Sequence, residues 1–430
     1  MHNSQNQHNL NADSSIKIED IKFSSKSKSQ HTSSTQTSLK LLPPLSIYIH
    51  IPWCEKKCPY CDFNSHEIKN NKHIDKELEN QYIKCLENDI IATLPLIWGR
   101  SIHTLFIGGG TPSLISGEGM HKILQILFTL LPMHTCIEIT IEANPSSAEI
   151  SKFHDFKQAG INRISLGIQS FNQEHLKILG RVHDRHQAIN AIEYAHKFFD
   201  NINLDIIFAL PNQTIEECQQ DINTAISFDT SHLSCYHLTL EPNTYFAKYP
   251  PPNIPNDDDA YEMQDLIINQ LAQSGLNRYE ISAYSKGKHK QSQHNLNYWQ
   301  FGDYIGIGAG AHGKISFHDK IVRYVKQKHP ATYIANALNL NDAQNNQHIV
   351  SQNSISINEL PFEFMLGALR LVDGVSVQEF MDKTSLGYHH IANNIEIAQN
   401  KGLIHKLDNY IKPTPLGISF LNDLQMLFLD

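Results

Sequence analysis

The stretch Tyr48-Ile-His-Ile-Pro-Trp-Cys54-Glu-Lys-Lys-Cys58-Pro-Tyr-Cys61-Asp-Phe63 places three thiols at C-x3-C-x2-C spacing, directly after a short apolar run that reads as a strand. Three thiolates can hold three irons of a cubane cluster and leave the fourth iron without a protein ligand. An open iron beside a strand end is a place where a small molecule can bind and be reduced. Other chemistries use similar spacings. A structural zinc site normally takes four ligands, and His50 or His66 could supply one beside the thiols. Cys58 and Cys61 also form a Cys-x2-Cys pair of the redox kind, although Pro-Tyr between them and the absence of thioredoxin-like surroundings suit that poorly. A c-type haem attachment needs His directly after the second Cys, and Asp62 stands there. The spacing favours the open cluster.

Outward from that loop the chain alternates. Short β-rich runs lie at Leu45–Ile51, Thr104–Ile107, Ile137–Ile141, Arg163–Ile168, Leu204–Phe208 and Leu233–Leu240. Stretches of helical period stand between them at Ile74–Leu94, Lys122–Leu131, Ala148–Ala159, His186–Phe199 and Ile215–Ile226. Repeated strand–helix alternation predicts a parallel sheet with helices outside. Periodicity does not set whether that sheet closes into a full barrel. In parallel βα folds the chemistry collects at the carboxyl ends of the strands. The cysteines follow the first strand, Gly108-Gly-Gly-Thr111-Pro112 the second, Glu142-Ala-Asn-Pro145 the third and Gln169-Ser the fourth. Four polar signals are therefore expected on one rim.

Each signal also has an ordinary structural explanation. A glycine run can be no more than a tight strand–helix turn. It is not a P-loop, because no Gly-Lys-Ser/Thr follows. Glu142 could cap the next helix, given the Asn-Pro-Ser-Ser after it. The second sharp pattern is His294-Asn-Leu-Asn-Tyr298-Trp299. An imidazole with two large aromatics could ligate haem iron and stack on a porphyrin. Taken alone, the same residues read better as an aromatic pair covering one end of a barrel, with His294 as a hydrogen-bonded partner.

Composition narrows the classes. The 430 residues suffice for one large domain plus a smaller one, and 40% apolar content argues against global disorder. A net charge of -9 gives no support to nucleic-acid binding, which needs clustered basic charge. Cys85, Cys136, Cys218 and Cys235 lie in apolar contexts and read as small buried hydrophobes. With no signal peptide ahead of them, a reducing cytoplasm is the expected setting. The longest apolar segments, such as Ile123 to Met133, are too short to cross a bilayer.

The cysteine loop resembles the signature of the radical SAM proteins. In that family the open iron chelates the amino and carboxylate groups of S-adenosylmethionine, and cluster reduction cleaves the sulfonium to a deoxyadenosyl radical. The preceding Tyr48-Ile-His-Ile-Pro is similar to the branch containing oxygen-independent coproporphyrinogen III oxidases and their HemW-type relatives, the haem chaperones. The resemblance runs from about Leu45 to the C-terminus. It implies an α/β fold, an open (β/α)6 partial barrel, with a [4Fe-4S] cluster on Cys54, Cys58 and Cys61. It also implies S-adenosylmethionine contacts from Gly109, Gly110, Thr111, Glu142, Gln169, Arg181 and Asp205, with Tyr48 and the backbone around Tyr60 lining the cofactor. Thr239 matches only by its distance from Asp205. Such acceptors suit ribose hydroxyls and an ammonium, and a guanidinium suits a carboxylate. Taken alone, Arg181 would read as a surface ion pair. The H-N-x-x-Y-W pattern resembles an element of the HemW-type proteins, which makes His294, Tyr298 and Trp299 haem candidates, His294 as axial ligand.

One departure separates the two branches. The oxidases carry a further Cys two residues after the third, where this chain has Phe63. The reading that results is a haem chaperone with a radical-SAM-type cluster, favoured over the alternative, a coproporphyrinogen dehydrogenase of porphyrin biosynthesis. A third reading, electron transfer by the cluster alone, leaves the rim residues unexplained. The partners expected are haem and an acceptor protein, with room for peripheral contact with a membrane-bound acceptor.

The domain organisation expected is a disordered polar tail over residues 1–40, the partial barrel over 41–276, and a loop-rich extension over 277–338 carrying H-N-x-x-Y-W. A polar linker over 339–357 then leads to a winged-helix-like unit over 358–430. In that unit, helical patterns at Glu363–Leu371, Val377–Thr384 and His389–Lys401 precede a hairpin from Leu403 to Ile411. No basic recognition helix is evident there, so protein contact is the expected use.

Overall fold

A computed structural model describes residues 37–68, 74–340 and 347–429. Twelve strands form one sheet: β1 Leu45–Ile51, β2 Ile102–Gly109, β3 Met133–Ala143, β4 Arg163–Gln169, β5 Ile202–Phe208, β6 His232–His237, β7 Asn277–Arg278, β8 Ala283–Ser285, β9 Asp303–Ile307, β10 His312–Ser316, β11 Ile321–Lys326 and β12 Ile349–Ser354. Their order is β12-β11-β10-β9-β1-β2-β3-β4-β5-β6-β8-β7. Strands β9 and β1 to β6 run parallel, and the strands beyond them on each side are antiparallel. The sheet is therefore open at two edges, as an incomplete barrel.

Each of the first six strands leads into a helix on the outer face. These are α1 Lys76–Ile97, α2 Gly117–Leu130, α3 Phe153–Ala159, α4 Arg185–Ala195, α5 Ile215–Ser227 and α6 Asp257–Gln273. Strand residues alternate between the two faces of a sheet. Ile47, Ile49 and Ile51 of β1, Leu105 and Ile107 of β2, Ile139 and Ile141 of β3 and Leu204 and Ile206 of β5 join one core. That core includes Leu86 of α1, Leu124 of α2, Phe156 of α3, Ile192 of α4 and Ile222 of α5. Each such burial contributes about 1.5–3 kcal/mol. The alternate residues, among them Ser46, Tyr48 and His50 of β1 and Ser165 and Asp205 of β4 and β5, face the interior and leave it polar.

Several expectations are corrected. The tail expected over 1–40 lies outside the described residues up to residue 36, but Thr37 and Leu39 are buried. Leu39 joins the C-terminal core, and its amide donates to the His318 carbonyl at 2.9 Å. The loop-rich extension contains β7 to β11, with α7 Gln293–Trp299 between β8 and β9 and α8 Pro330–Leu338 after β11. Its glycines serve close strand approach: a Cβ on Gly306 would lie 1.9 Å from the His312 carbonyl oxygen, and one on Gly313 2.1 Å from the Tyr324 ring. Within the supposed linker, β12 pairs antiparallel with β11. The helix expected over Ala148–Ala159 is interrupted after Ile150, and α3 begins at Phe153.

The C-terminal unit packs α9 Leu360–Ala368, α10 Val377–Thr384 and α11 Ala392–Asn400 around Phe364, Phe380, Ile391 and Leu424. A capping box between Ser376 and Glu379 starts α10. The expected hairpin is narrow. Its arms meet at Ile404 and Pro413, and Tyr410–Ile411 pairs with Val375–Ser376. Two helical segments, Pro415–Ser419 and Leu421–Met426, follow it. Among the described residues no helix is long and apolar enough to cross a membrane.

A buried charge cluster ties the antiparallel extension to the barrel. Asp89 of α1 accepts from Lys326 Nζ at 2.5 Å and Tyr333 Oη at 2.7 Å, and lies 3.2 Å from His348 Nε2. Burial alone would push the Asp89 carboxyl up; Lys326 and His348 outweigh it and hold the carboxyl well below its usual range. Removing one partner of a buried pair strands the other charge. Asp89→Ala should cost about 3–5 kcal/mol of unfolding free energy, and adding Lys326→Met should recover part of that loss. Denaturant unfolding of the single and double variants checks this, and a neutral Asp89→Ala would refute it.

Candidate functional site

The cysteine loop is clamped to the rim by backbone bonds. The Gly110 amide donates to the Ile51 carbonyl and the Thr111 amide to the Trp53 carbonyl, both at 2.7 Å. A Cβ on Gly110 would lie 2.5 Å from the Trp53 carbonyl oxygen and 3.0 Å from Cys54 Sγ. Gly109 has φ +116, a backbone region that side chains other than hydrogen rarely adopt. The glycine run is thus the seat on which the thiol loop rests. The far side of the loop is closed by Trp53–Cys54 pairing with His66–Glu67.

Cys54, Cys58 and Cys61 border a cavity of about 330 Å³ at the carboxyl ends of the strands. Tyr60, Gly109, Gly110, Thr111, Glu142, Gln169, Arg181, Asp205 and Thr239 border it too. Tyr48 does not; it faces a second, larger cavity, because its position on β1 points its ring toward Phe106 of β2. Thr239 Oγ1 donates to Glu241 at 2.9 Å. Gln169 holds φ +70, a conformation uncommon outside glycine, and so stands at the rim with local strain.

Arg181 is no surface residue. Its Nη2 donates to Asn144 Oδ1 at 2.6 Å and to the Gly167 carbonyl at 2.8 Å, Nη1 lies 3.7 Å from Cys58 Sγ, and its buried Nε has no partner. Burial pushes the Cys54 thiol up to about 11 and raises Cys61 as well. Burial, then the neighbouring Asp205, raises Glu142 to about 8, against one amide bond from Gly109 at 3.2 Å. Asp205 is also raised by burial, although Ser165 Oγ and Asn203 Nδ2 each donate to it at 2.8 Å. Two buried carboxyls and a guanidinium bordering one cavity suit a small ligand bearing both an ammonium and a carboxylate.

The donor set fits an iron–sulfur cluster better than a zinc ion. His50 uses both ring nitrogens, with Tyr48 Oη at 2.9 Å and the Asn64 carbonyl at 2.8 Å, and His66 Nε2 meets Asn64 Oδ1 at 3.2 Å. Among the described residues no three His, Cys, Asp or Glu side chains gather closely enough to hold a single metal ion. The three thiols instead ring a cavity, as ligands to separate irons would.

The larger cavity, about 830 Å³, shares Cys61, Asp62, Phe63 and Ser65 with the first. Its walls include Phe106, Tyr298, Trp299 and Tyr304, with Lys57, Arg323 and Lys328 among its cations. His294 borders it but is only 1% exposed. Its Nδ1 pairs with Thr104 Oγ1 at 2.8 Å, its Nε2 with Tyr298 Oη at 3.0 Å, and its ring stacks on Phe106 at 5.0 Å. Burial lowers its pKa to about 3, so it stays neutral. Both ring nitrogens of His294, the residue expected as axial ligand, are thus engaged by the protein. Trp299 stacks under Arg370 at 4.2 Å, and its indole nitrogen has no partner.

Asn144, Ser165 and Tyr236 also reach the first cavity. In register, Ser165 lies opposite Glu142 and Asn203, and Tyr236 opposite Ile207, so period-two alternation marks both, a signal present in the sequence.

Glu142 gives a stability signature. Its folded pKa of about 8 exceeds the ordinary 4.5, so between those values the folded chain holds a proton that the unfolded chain has lost. Stability should therefore fall as pH rises through that window, and Glu142→Gln should flatten the decline. Thermal melts from pH 5 to 8 test this; parallel slopes in the two proteins would contradict it.

The Radical SAM superfamily model matches residues 48–225, and the HemN C-terminal domain model matches residues 355–420. "Heme chaperone HemW" of Escherichia coli is 42% identical over 390 residues, 90% of this chain and 99% of that protein. "Heme chaperone HemW" of Bacillus subtilis is 34% identical over 391 residues, covering 89% and 99%. The solved coproporphyrinogen III oxidase (HemN) from Escherichia coli superposes with TM-score 0.75 over 90% of both chains at 21% identity, a likeness of fold. With the cysteine loop, the open sheet and the C-terminal unit all accounted for, the chain belongs to the HemW family within the radical SAM superfamily.

Proposed function

We propose that this chain binds haem and passes it to an acceptor protein, with a [4Fe-4S] cluster and S-adenosylmethionine held beside the haem. The observation that carries the reading is the end-to-end similarity to proteins named haem chaperones, 42% over 99% of the Escherichia coli protein. The cavity of about 830 Å³, walled by aromatics and bordered by cations, has the size and lining of a site for a large flat anion. The likeness to the oxidase is one of fold and carries no activity.

Cys54, Cys58 and Cys61 would hold the cluster. When bound, it would supply an open coordination site and one-electron chemistry. The remaining work falls to the chain. Arg181, which borders the smaller cavity, would orient a ligand carboxylate. Glu142 and Asp205 would accept from an ammonium or from ribose hydroxyls, and burial makes a cationic partner especially favourable to them. Phe63, 59% exposed where the two cavities meet, presents an apolar edge at the position where the oxidases carry a further Cys. The pattern favours carriage over decarboxylation. Seven free thiols suit a reducing cytoplasm, where peripheral contact with a membrane-bound acceptor would remain open to the chain.

Anaerobic reconstitution should load about four irons per chain, and Cys58→Ala should lose most of the cluster absorbance. Asp205→Ala should keep its iron yet bind S-adenosylmethionine more weakly by about 1–3 kcal/mol, the cost of an unpaired buried polar contact. Full clusters in single Ala variants of all three cysteines would refute the assignment.

The wild-type chain should take up haem in an absorbance titration and leave coproporphyrinogen undecarboxylated in an anaerobic assay. Robust decarboxylation would move the reading to the dehydrogenase.

A further inference from the structure

Four histidines border the larger cavity: His50, His66, His294 and His312. The first three are engaged by the protein. His50 and His294 use both ring nitrogens, and His66 pairs with Asn64. His312 differs from them. It is exposed to the cavity and makes no side-chain hydrogen bond among the described residues. Its backbone is nevertheless held firmly. It opens β10, paired with Val325 of β11, and its carbonyl lies so close to Gly306 that a Cβ there would stand 1.9 Å away. A free imidazole on a rigid strand end is a prearranged metal ligand.

The surroundings of His312 have the other features that an iron porphyrin needs. Lys328 and Arg323 are the charged groups acting on it. Lys328 is exposed, and Arg323 contacts Glu363 and donates to Tyr304 Oη at 3.1 Å, keeping a buried Nε without a partner. Tyr298 and Trp299 border the same cavity and add aromatic lining to it. The pattern that drew attention to His294 therefore supplies packing, whereas the unengaged nitrogen belongs to a histidine that no motif marks.

We propose that His312 is the axial ligand through which the larger cavity holds haem iron, with Arg323 and Lys328 placed to meet the porphyrin carboxylates. This assignment rests on haem carriage as the function. His294 then acts as a positioning residue: it fixes Tyr298 and Phe106 in the wall without touching the iron.

The test titrates haem into the purified full-length chain and records the Soret band and, in the ferrous state, the iron–histidine stretching band. Wild type should show that band. His312→Ala should lose it, and added imidazole should restore a nitrogen-ligated spectrum. His312→Cys should exchange it for a thiolate-type Soret band, which a merely unfolded variant would not produce. His294→Ala should bind haem more weakly but keep the iron–histidine band. If both His312 variants bind haem with the wild-type spectrum, the ligand assignment is overturned and haem carriage stands. If the wild-type chain takes up no haem, haem carriage fails and the assignment falls with it.

Discussion

The rim depends on the contact between the thiol loop and the glycine turn. Two short backbone bonds, from Gly110 to Ile51 and from Thr111 to Trp53, hold the loop at the carboxyl ends of β1 and β2. Any side chain on Gly110 would strike the Trp53 carbonyl and approach Cys54 Sγ, so the loop could not seat. With it seated, three thiols face one cavity, and the segment from Cys61 to Ser65 becomes a wall shared with a second. Both candidate sites therefore follow from one main-chain junction.

The interior electrostatics follow from strand periodicity. Parallel strands covered by helices usually read as continuous apolar runs. Here the residues facing the helices are apolar, while Ser46, Thr104, Glu142, Ser165, Asn203 and Asp205 turn inward. The lumen can keep a polar chain such as Asn297 to Ser46 to Thr104 to His294, with contacts of 2.7–2.9 Å. Burial nevertheless raises both the Glu142 and the Asp205 carboxyl, a state that favours a cationic ligand.

The βα units were legible because Ile, Val and Leu recur at strand and helix periods around Cys54, Thr111 and Glu142. The extension was not. Gly306 and Gly313 read as loop residues, yet their missing Cβ atoms allow β9, β10 and β11 to approach one another. Sequence patterns do not distinguish glycine used for turning from glycine used for contact. The rim residues were legible for the opposite reason: strand ends in a parallel sheet converge whatever their separation along the chain. The engagement of His294 was not legible because it depends on Thr104, 190 positions away, whose hydroxyl pairs with Nδ1. His312 carries no motif, and only its lack of partners distinguishes it.

In the proposed function, two ligands occupy adjoining but separate cavities on either side of the Cys61–Ser65 wall. The direct measurement is the stoichiometry and affinity of haem binding to cluster-loaded protein, with and without saturating S-adenosylmethionine. Separate cavities predict one haem per chain in both conditions, with S-adenosylmethionine still bound. Displacement of either ligand by the other would mean a single shared site and would contradict the account.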